Sequence, residues 1–156
     1  MDFDRLLQLL RALAEERVDY VLVGATALNF HGIVRATEDV DLFVRPVSEN
    51  VEKLKKALRR VWQDTEIEEI RAEDLAGAYP TVRYGPPGED FVIDVMSRLG
   101  TAIGYDDLEA ETLTIEGVDV LCATPATLYR MKKDTIRPID RADAAALRDK
   151  FGIEDD

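Results

Sequence analysis

Cysteine is almost absent from this chain of 156 residues, in which Cys122 stands alone. A single cysteine excludes an internal disulfide framework and a thiolate metal cluster, so a reducing compartment is the simplest expectation. Long apolar runs are also missing, since none approaches the roughly 20 residues of a membrane-spanning helix. The first residues, Met1-Asp2-Phe3-Asp4, are acidic, whereas a secretory signal peptide begins with positive charge. We therefore expect a cytoplasmic protein with no membrane segment.

Basic residues are in short supply as well. The 20 lysines and arginines are outnumbered by 32 aspartates and glutamates, which gives a formal net charge of −12. Binding to RNA or DNA depends on basic side chains that neutralise phosphates and release counterions. RNA remains a candidate partner, but the charge favours a small molecule or a protein. A basic cluster on the helix predicted after Ser48 is either a solvated face that complements the helix dipole or a phosphate-binding surface.

Length and apolar content fit one domain. Apolar residues make up 46% of the sequence, which is enough for an ordinary core. We expect a single domain over residues 1–152, with residues 153–156 as a frayed acidic tail. Helical and extended patterns are interspersed, and they predict an α/β (α+β) fold with a mixed, twisted β-sheet packed by helices.

Apolar spacing and capping residues predict the helices. The first runs from Phe3 to Ala14, and a short helix follows from Ala25 to His31. Ser48 is expected to cap the next helix. Thr124-Pro125 is typical of an N-cap and first helical position. Pro138 begins a last helix, expected to carry these residues inward: Ile139, Ala142, Ala146 and Leu147.

Strand patterns occur between these helices. Gly85-Pro86-Pro87-Gly88 and Glu116-Gly117 are turn-forming runs, and each is expected to join an antiparallel pair. The predicted strands are Tyr20 to Val23, Asp39 to Val44, Thr81 to Tyr84, Phe91 to Met96, Thr112 to Ile115, and Val118 to Leu121.

A glycine turn and two aspartates form the most informative pattern. Gly24 follows the first strand, and Asp39 and Asp41 begin the second. Alternate residues of a strand share a face, so the two carboxylates lie about 7 Å apart while Val40 points the other way. They repel one another unless a cation lies between them. Hard oxygen ligands suit magnesium, and backbone N–H groups of a glycine turn can approach a phosphate.

Asp94 is a third candidate ligand. Its strand is apolar on both faces, with Phe91, Ile93 and Val95 on one side and Val92 and Met96 on the other. An ionised carboxylate is costly in such a strand without a partner, and a shared metal ion is one such partner.

These residues resemble the nucleotidyltransferases of the DNA polymerase beta-like superfamily, and within it the AbiEii-type abortive-infection toxins and their small relatives. Order and spacing match the family's first motif at Val23 to Ala27, His31-Gly32, Arg35, Thr37 and Asp39 to Leu42. Asp94 resembles the third catalytic carboxylate. The helical motif that closes these domains is similar to Lys132, Arg137, Asp140 and Asp143.

The resemblance implies a magnesium-dependent enzyme of the nucleotidyltransferase fold that moves a nucleoside monophosphate from a nucleoside triphosphate to a hydroxyl acceptor. Asp39, Asp41 and Asp94 would be catalytic and would bind two Mg²⁺ ions about 4 Å apart. Gly24, Ala25 and Thr26 would bind the nucleotide's phosphates at a helix N-terminus, with Lys132 adding a positive charge. The acceptor is an RNA end, a protein side chain or a small molecule. A toxin-antitoxin setting would supply a cognate antitoxin or toxin as partner.

One departure from the family pattern supports a rival hypothesis. The family shows Gly-Gly or Gly-Ser where this chain has Gly24-Ala25, so a hydroxyl or a second glycine is missing from the phosphate-binding turn. The alternative is a catalytically weak nucleotide-binding or antitoxin-like module with the same fold. A structural protein whose acidic residues only solubilise it is a third hypothesis, and it predicts that divalent ions leave stability unchanged.

Several polar residues have two interpretations at this stage. Thr26 either caps the short helix or contacts phosphate, and His31 either packs within its loop or acts in catalysis. Arg35 pairs with Glu38 or reaches the nucleotide. Asp140 and Asp143 share a helix face, where they belong to the site or pair with nearby arginines.

Overall fold

The computed structural model describes residues 1–78, 80–100, 103–133 and 137–154. Asp155 and Asp156 of the expected acidic tail therefore lie outside the described residues. Within the described ranges, the helices are α1 (Phe3–Glu15), α2 (Gly24–Phe30), α3 (Ser48–Val61), α4 (Ala72–Ala76), α5 (Pro125–Lys132) and α6 (Pro138–Phe151). The strands are β1 (Tyr20–Val23), β2 (Asp39–Val44), β3 (Thr81–Tyr84), β4 (Val92–Met96), β5 (Arg98–Leu99), β6 (Ile103–Gly104), β7 (Ala110–Ile115) and β8 (Val118–Ala123).

The principal sheet is mixed, as expected from the sequence. Among the described residues its strand order is β3-β4-β2-β1-β8-β7, and β5 pairs separately with β6. The β2–β4 and β1–β8 pairs are parallel, whereas β1–β2, β3–β4 and β7–β8 are antiparallel. This order places β2 between β1 and β4. The candidate ligands on β2 and β4 therefore lie on neighbouring strands.

Amphipathic helices cover the sheet. In α1, Leu6, Leu9, Leu10 and Leu13 are buried at the spacing of one helix face, and Asp2 caps the helix by accepting from the N–H groups of residues 4 and 5. α1 packs on α3 and β8, α2 packs on β1 and β2, and α5 pairs with α6. Burial of these leucines contributes roughly 1.5–3 kcal/mol each. Among the described residues, no helix combines the length and apolar character that a membrane crossing requires.

Cys122 lies in β8, next to Leu22 of β1, and is fully buried. Burial in apolar surroundings raises the pKa of its thiol to about 12. The thiol therefore stays protonated at neutral pH, where it serves as a small core residue.

Two local expectations are wrong. Ser48 is the first residue of α3 and does not cap it, because the cap position belongs to Val47 and lacks a side-chain hydrogen bond. In α6, Ile139 and Ala142 are exposed, and Asp140 and Asp143 are buried instead. The helix turns this face inward because both carboxylates find cationic partners there.

Residues 152 and 153 close the C-terminal end of α6, which ends at Phe151. Gly152 adopts the left-handed conformation with φ of 62°, and Ile153 donates its N–H to the carbonyl of Arg148 at 3.2 Å. Ile153 also packs against the core. The expected domain boundary after residue 152 and the frayed tail of residues 153–156 stay predictions.

Candidate active site

The turn at Gly24 is built around the side chain of Asp41. Gly24 has φ of 71°, which favours glycine, and a Cβ there would lie 2.0 Å from Oδ2 of Asp41. The β1–β2 register sets this contact, since Val23 pairs with Asp41. Any larger residue at position 24 would collide with the carboxylate. The glycine turn and the aspartate therefore form one unit.

The three predicted carboxylates come together across two strands. Asp39 and Asp41 are partly exposed on β2, whereas the intervening Val40 is fully buried, as strand alternation requires. On β4, Asp94 is the register partner of Asp41. The charge of Asp94 is therefore close enough to raise the pKa of the Asp41 carboxyl.

This crowding changes the ionisation of Asp41. Burial raises the pKa of its carboxyl to about 7, and the neighbouring negative charges of Asp94 and Asp39 act in the same direction. Lys132 opposes the shift. A carboxyl with a pKa near 7 holds a proton for part of the time at neutral pH. A bound cation would offset the negative charges of the three carboxylates and so relieve their repulsion.

Arg83, which sequence reasoning missed, pairs with two of these carboxylates. It lies on β3 directly across from Asp94. Its Nε is 2.9 Å from Oδ1 of Asp94, and its Nη2 is 3.3 Å from Oδ2. The same Nη2 is 3.8 Å from Oδ1 of Asp39. These contacts raise the pKa of the guanidinium above its ordinary value, so Arg83 stays charged.

Lys132 joins the last two helices near this cluster. Its Nζ is 3.2 Å from Oδ1 of Asp140 and 3.0 Å from Oδ2 of Asp143. Nη1 of Arg35 is 2.8 Å from the same Asp143 oxygen. Arg35 thus pairs with Asp143, which the sequence did not predict. The network ties α5 and α6 to the loop after α2, and Lys132 remains close enough to lower the pKa of Asp41.

The remaining predicted residues support the backbone. Thr26 is buried and donates its hydroxyl to the carbonyl of Asp39 at 3.2 Å. Thr37 donates to the same carbonyl at 3.1 Å. Ala25 is buried beside the turn. Nε2 of His31 lies 2.7 Å from the carbonyl oxygen of Ala123, which favours the packing interpretation of this histidine.

The donor set suits a hard divalent cation in chemical kind. All three groups are carboxylates, and they lie beside one another on β2 and β4. As they stand, however, no three His, Cys, Asp or Glu side chains in the described part of the chain have the geometry of a metal centre. Asp94 and Asp39 are instead directed at Arg83.

An open cleft of about 250 Å³ adjoins Asp41. Charged side chains line one part of the cleft and apolar side chains line another, a combination typical of sites for small ligands. The residues that line it are Val23, Gly24, Asp41, Met96, Leu99, Leu128, Met131, Lys132, Arg137 and Asp140.

Comparison with known families identifies the chain. The sequence profile described as "Nucleotidyl transferase AbiEii toxin, Type IV TA system" matches residues 5–150. The chain belongs to the AbiEii nucleotidyltransferase family. The resemblance drawn from the motifs is confirmed, and this AbiEii-family protein is a transferase of a toxin-antitoxin family. No curated protein sequence matches it.

Solved structures agree with the fold of this AbiEii-family protein. TM1012 of Thermotoga maritima, whose assignment as a nucleotidyltransferase is provisional, superposes with a TM-score of 0.58 at 13% identity, over 96% of this chain and 91% of that one. ANT(2″)-Ia, solved in complex with adenylyl-2″-tobramycin, gives 0.56 at 15% identity, over 94% and 87%. A solution structure of the antibiotic-resistance factor ANT(2″)-Ia gives 0.50 at 15% identity, over 97% and 95%. At these identities the likeness concerns the fold, and it confirms the predicted nucleotidyltransferase fold.

Proposed function

We propose that this AbiEii-family protein transfers a nucleoside monophosphate from a nucleoside triphosphate to a hydroxyl acceptor, with Mg²⁺ bound by Asp39, Asp41 and Asp94. The observation that carries the proposal is the meeting of these carboxylates beside the Gly24 turn. Asp41 is central to the site, because burial and then the negative charges of Asp94 and Asp39 raise its pKa to about 7, and a divalent ion would offset those charges.

Each residue has a separate task in this proposal. The three aspartates hold Mg²⁺, which supplies charge stabilisation at the transferred phosphoryl group and lowers the pKa of the attacking hydroxyl. The backbone N–H groups of Gly24, Ala25 and Thr26 bind the outer phosphates. The Thr26 hydroxyl does not take part, because it already donates to the backbone carbonyl of Asp39. The Lys132 ammonium adds positive charge on the same side of the cleft.

Charge guides the choice of acceptor. A net charge of −12 disfavours a long polyanion, so a protein side chain or a small hydroxylated molecule fits better than an RNA end. The structural likeness to ANT(2″)-Ia, whose solved complex contains an adenylylated tobramycin, supports the same direction. The family's toxin-antitoxin description supports a cognate antitoxin as the protein partner. A nucleoside triphosphate substrate is in keeping with a cytoplasmic location.

The proposal is tested with labelled nucleoside triphosphates and a panel of acceptors. Asp41→Asn should abolish magnesium-dependent incorporation and pyrophosphate release while the protein stays folded. Asp149→Asn, an exposed position on α6 that is 78% accessible, is the charge-matched control and should retain wild-type incorporation. Full activity of Asp41→Asn would refute the site. Tight nucleotide binding by the wild type, without pyrophosphate release across the panel, would favour the non-catalytic module.

A further inference from the structure

Arg83 occupies the space between proposed metal ligands. Its guanidinium contacts both oxygens of Asp94, at 2.9 and 3.3 Å, and lies 3.8 Å from Oδ1 of Asp39. The planar fork of an arginine matches a carboxylate in this two-point arrangement. The lone pairs that would bind a divalent cation are therefore directed at a protein cation instead.

The ion pair between Arg83 and the two aspartates can be broken at little cost in stability. The Arg83 side chain is 64% exposed, and β3 is the terminal strand of the sheet among the described residues. Exposed ion pairs contribute little to stability. Since most of the Arg83 side chain already faces solvent, the guanidinium can rotate away from the carboxylates without disturbing the core.

Asp41 is held in a different way. The Gly24 turn lies against its carboxylate, and Lys132 at the end of α5 lines the same cleft. Asp41 is therefore already in place, whereas Asp94 and Asp39 are engaged elsewhere. Release of Asp94 and Asp39 by Arg83 would free their oxygens for a cation shared with Asp41.

We propose that Arg83 is an internal competitor of the divalent cation, which neutralises Asp94 and Asp39 in the free protein and must swing out before they bind metal. This inference rests on the proposed function, since it assumes that the three aspartates bind the ion. Mg²⁺ and a guanidinium repel one another and compete for the same oxygens, so the two occupants exclude each other. Arg83 thus keeps the affinity for free metal low.

The test is a titration with Mn²⁺ alone, without nucleotide, in which the free ion is followed by electron paramagnetic resonance. Arg83→Gln should bind Mn²⁺ about fivefold more tightly than the wild type, since the competing ion pair is worth up to about a factor of five. Arg83→Lys keeps the charge but loses the fork, and its affinity should lie between the two. Arg71→Gln is the control, because Arg71 is 65% exposed and its ion pairs within the described residues are with Glu73 and Asp74. It should match the wild type within about twofold.

The outcomes separate the two proposals. Equal Mn²⁺ affinity in the wild type and Arg83→Gln, with binding that Asp41→Asn abolishes, would overturn the competitor role while leaving the metal site intact. Weaker binding by Arg83→Gln would also overturn it, since the arginine would then assist the site. Absence of Asp41-dependent Mn²⁺ binding in both proteins would refute the proposed function and this inference with it.

Discussion

At the scale of single residues, the contact between Gly24 and Asp41 is the most constrained feature of the site. Two independent reasons require glycine there. The backbone has φ of 71°, and a Cβ would meet the Asp41 carboxylate at 2.0 Å. Replacing glycine at any left-handed position lowers stability because the backbone is strained. The steric contact lowers stability further only where a group such as the Asp41 carboxylate lies against the added Cβ.

Gly24→Ala should therefore lose more stability than a glycine substitution with the same backbone strain. Gly88 supplies the comparison, because it has φ of 78° and an added methyl group there would have nothing within 4 Å. We expect Gly88→Ala to cost about 1 kcal/mol and Gly24→Ala about 2–3 kcal/mol, measured by urea unfolding. In an Asp41→Ala background most of the difference should disappear, since only the Cβ of residue 41, at 3.1 Å, would still meet the added methyl group. Equal losses for the two single variants would show that the contact is unimportant.

Asp41 also makes stability depend on pH. Its folded-state pKa of about 7 lies above the ordinary value of 3.8, so the unfolded chain releases this proton at lower pH than the native one. The contribution of Asp41 to the free energy of unfolding is thus fully present below about pH 4, and it is lost as the pH rises through 7. Asp41→Asn should match the wild type near pH 4 and exceed it by on the order of 1–2 kcal/mol at pH 8. Urea unfolding at both values checks this, and a constant difference would contradict it.

At the scale of elements, the α5–α6 pair is held by charges that are largely removed from water. Lys132 is 13% exposed, and its partners Asp140 and Asp143 are 12% and 6% exposed. Arg35 adds a second cation from the loop after α2. Such a cluster specifies which helix faces meet, and removal of one member leaves buried charge uncompensated.

Lys132→Met should consequently destabilise the protein by about 2–4 kcal/mol, because a side chain of similar size replaces the cation that faces two buried carboxylates. Lys53→Met is the comparison: that lysine is 40% exposed and pairs with Glu49 on the surface of α3. Its loss should stay below about 0.5 kcal/mol. Urea unfolding of both variants distinguishes the cases, and a small effect at position 132 would mean that solvent compensates the carboxylates.

Local patterns predicted the elements well but not how distant elements face one another. Strand alternation and the glycine turn were sufficient to place Asp39 and Asp41. The β3–β4 register was not accessible in this way, because a symmetric turn at residues 85–88 would not bring Arg83 opposite Asp94. β4 begins at Val92 rather than at Phe91, and the longer connection shifts the pairing. Arg83 was therefore missed.

The α6 helix shows the same limit for a different reason. Apolar residues were expected inside, yet Asp143 is buried because Lys132 and Arg35 compensate it. Arg35 is 108 residues away in the chain, a separation at which sequence spacing carries no information. Buried charges are the positions where hydrophobic patterning fails, since their burial depends on partners brought by the fold.

At the scale of the whole molecule, ligand binding should raise the free energy of unfolding, because a ligand that binds only the native state stabilises it. With Mg²⁺ and a nucleoside triphosphate present, the native state should gain about 2.7 kcal/mol at a ligand concentration of about 100 times Kd, and Tm should rise accordingly. Asp41→Asn should show no such rise, whereas Asp149→Asn should follow the wild type. Differential scanning fluorimetry measures both. An unchanged Tm with every nucleotide would favour a purely structural protein.

The reactivity of the Cys122 thiol reports on opening of the sheet. The thiol is inaccessible, and its pKa of about 12 removes the reactive thiolate at neutral pH. An alkylating reagent at pH 8 should label the native protein at least about a thousandfold more slowly than the urea-unfolded chain. Prompt labelling without denaturant would contradict the buried placement.

The position of this thiol gives the labelling rate its meaning. Cys122 adjoins Leu22, and the next residue of β1, Val23, pairs with Asp41. Separation of β1 from β8 would loosen the support of the Gly24 turn and bare the sulfur in the same event. The rate of Cys122 alkylation therefore reports how often β1 and β8 separate. The measurement uses the unmodified protein, with no probe introduced near the site.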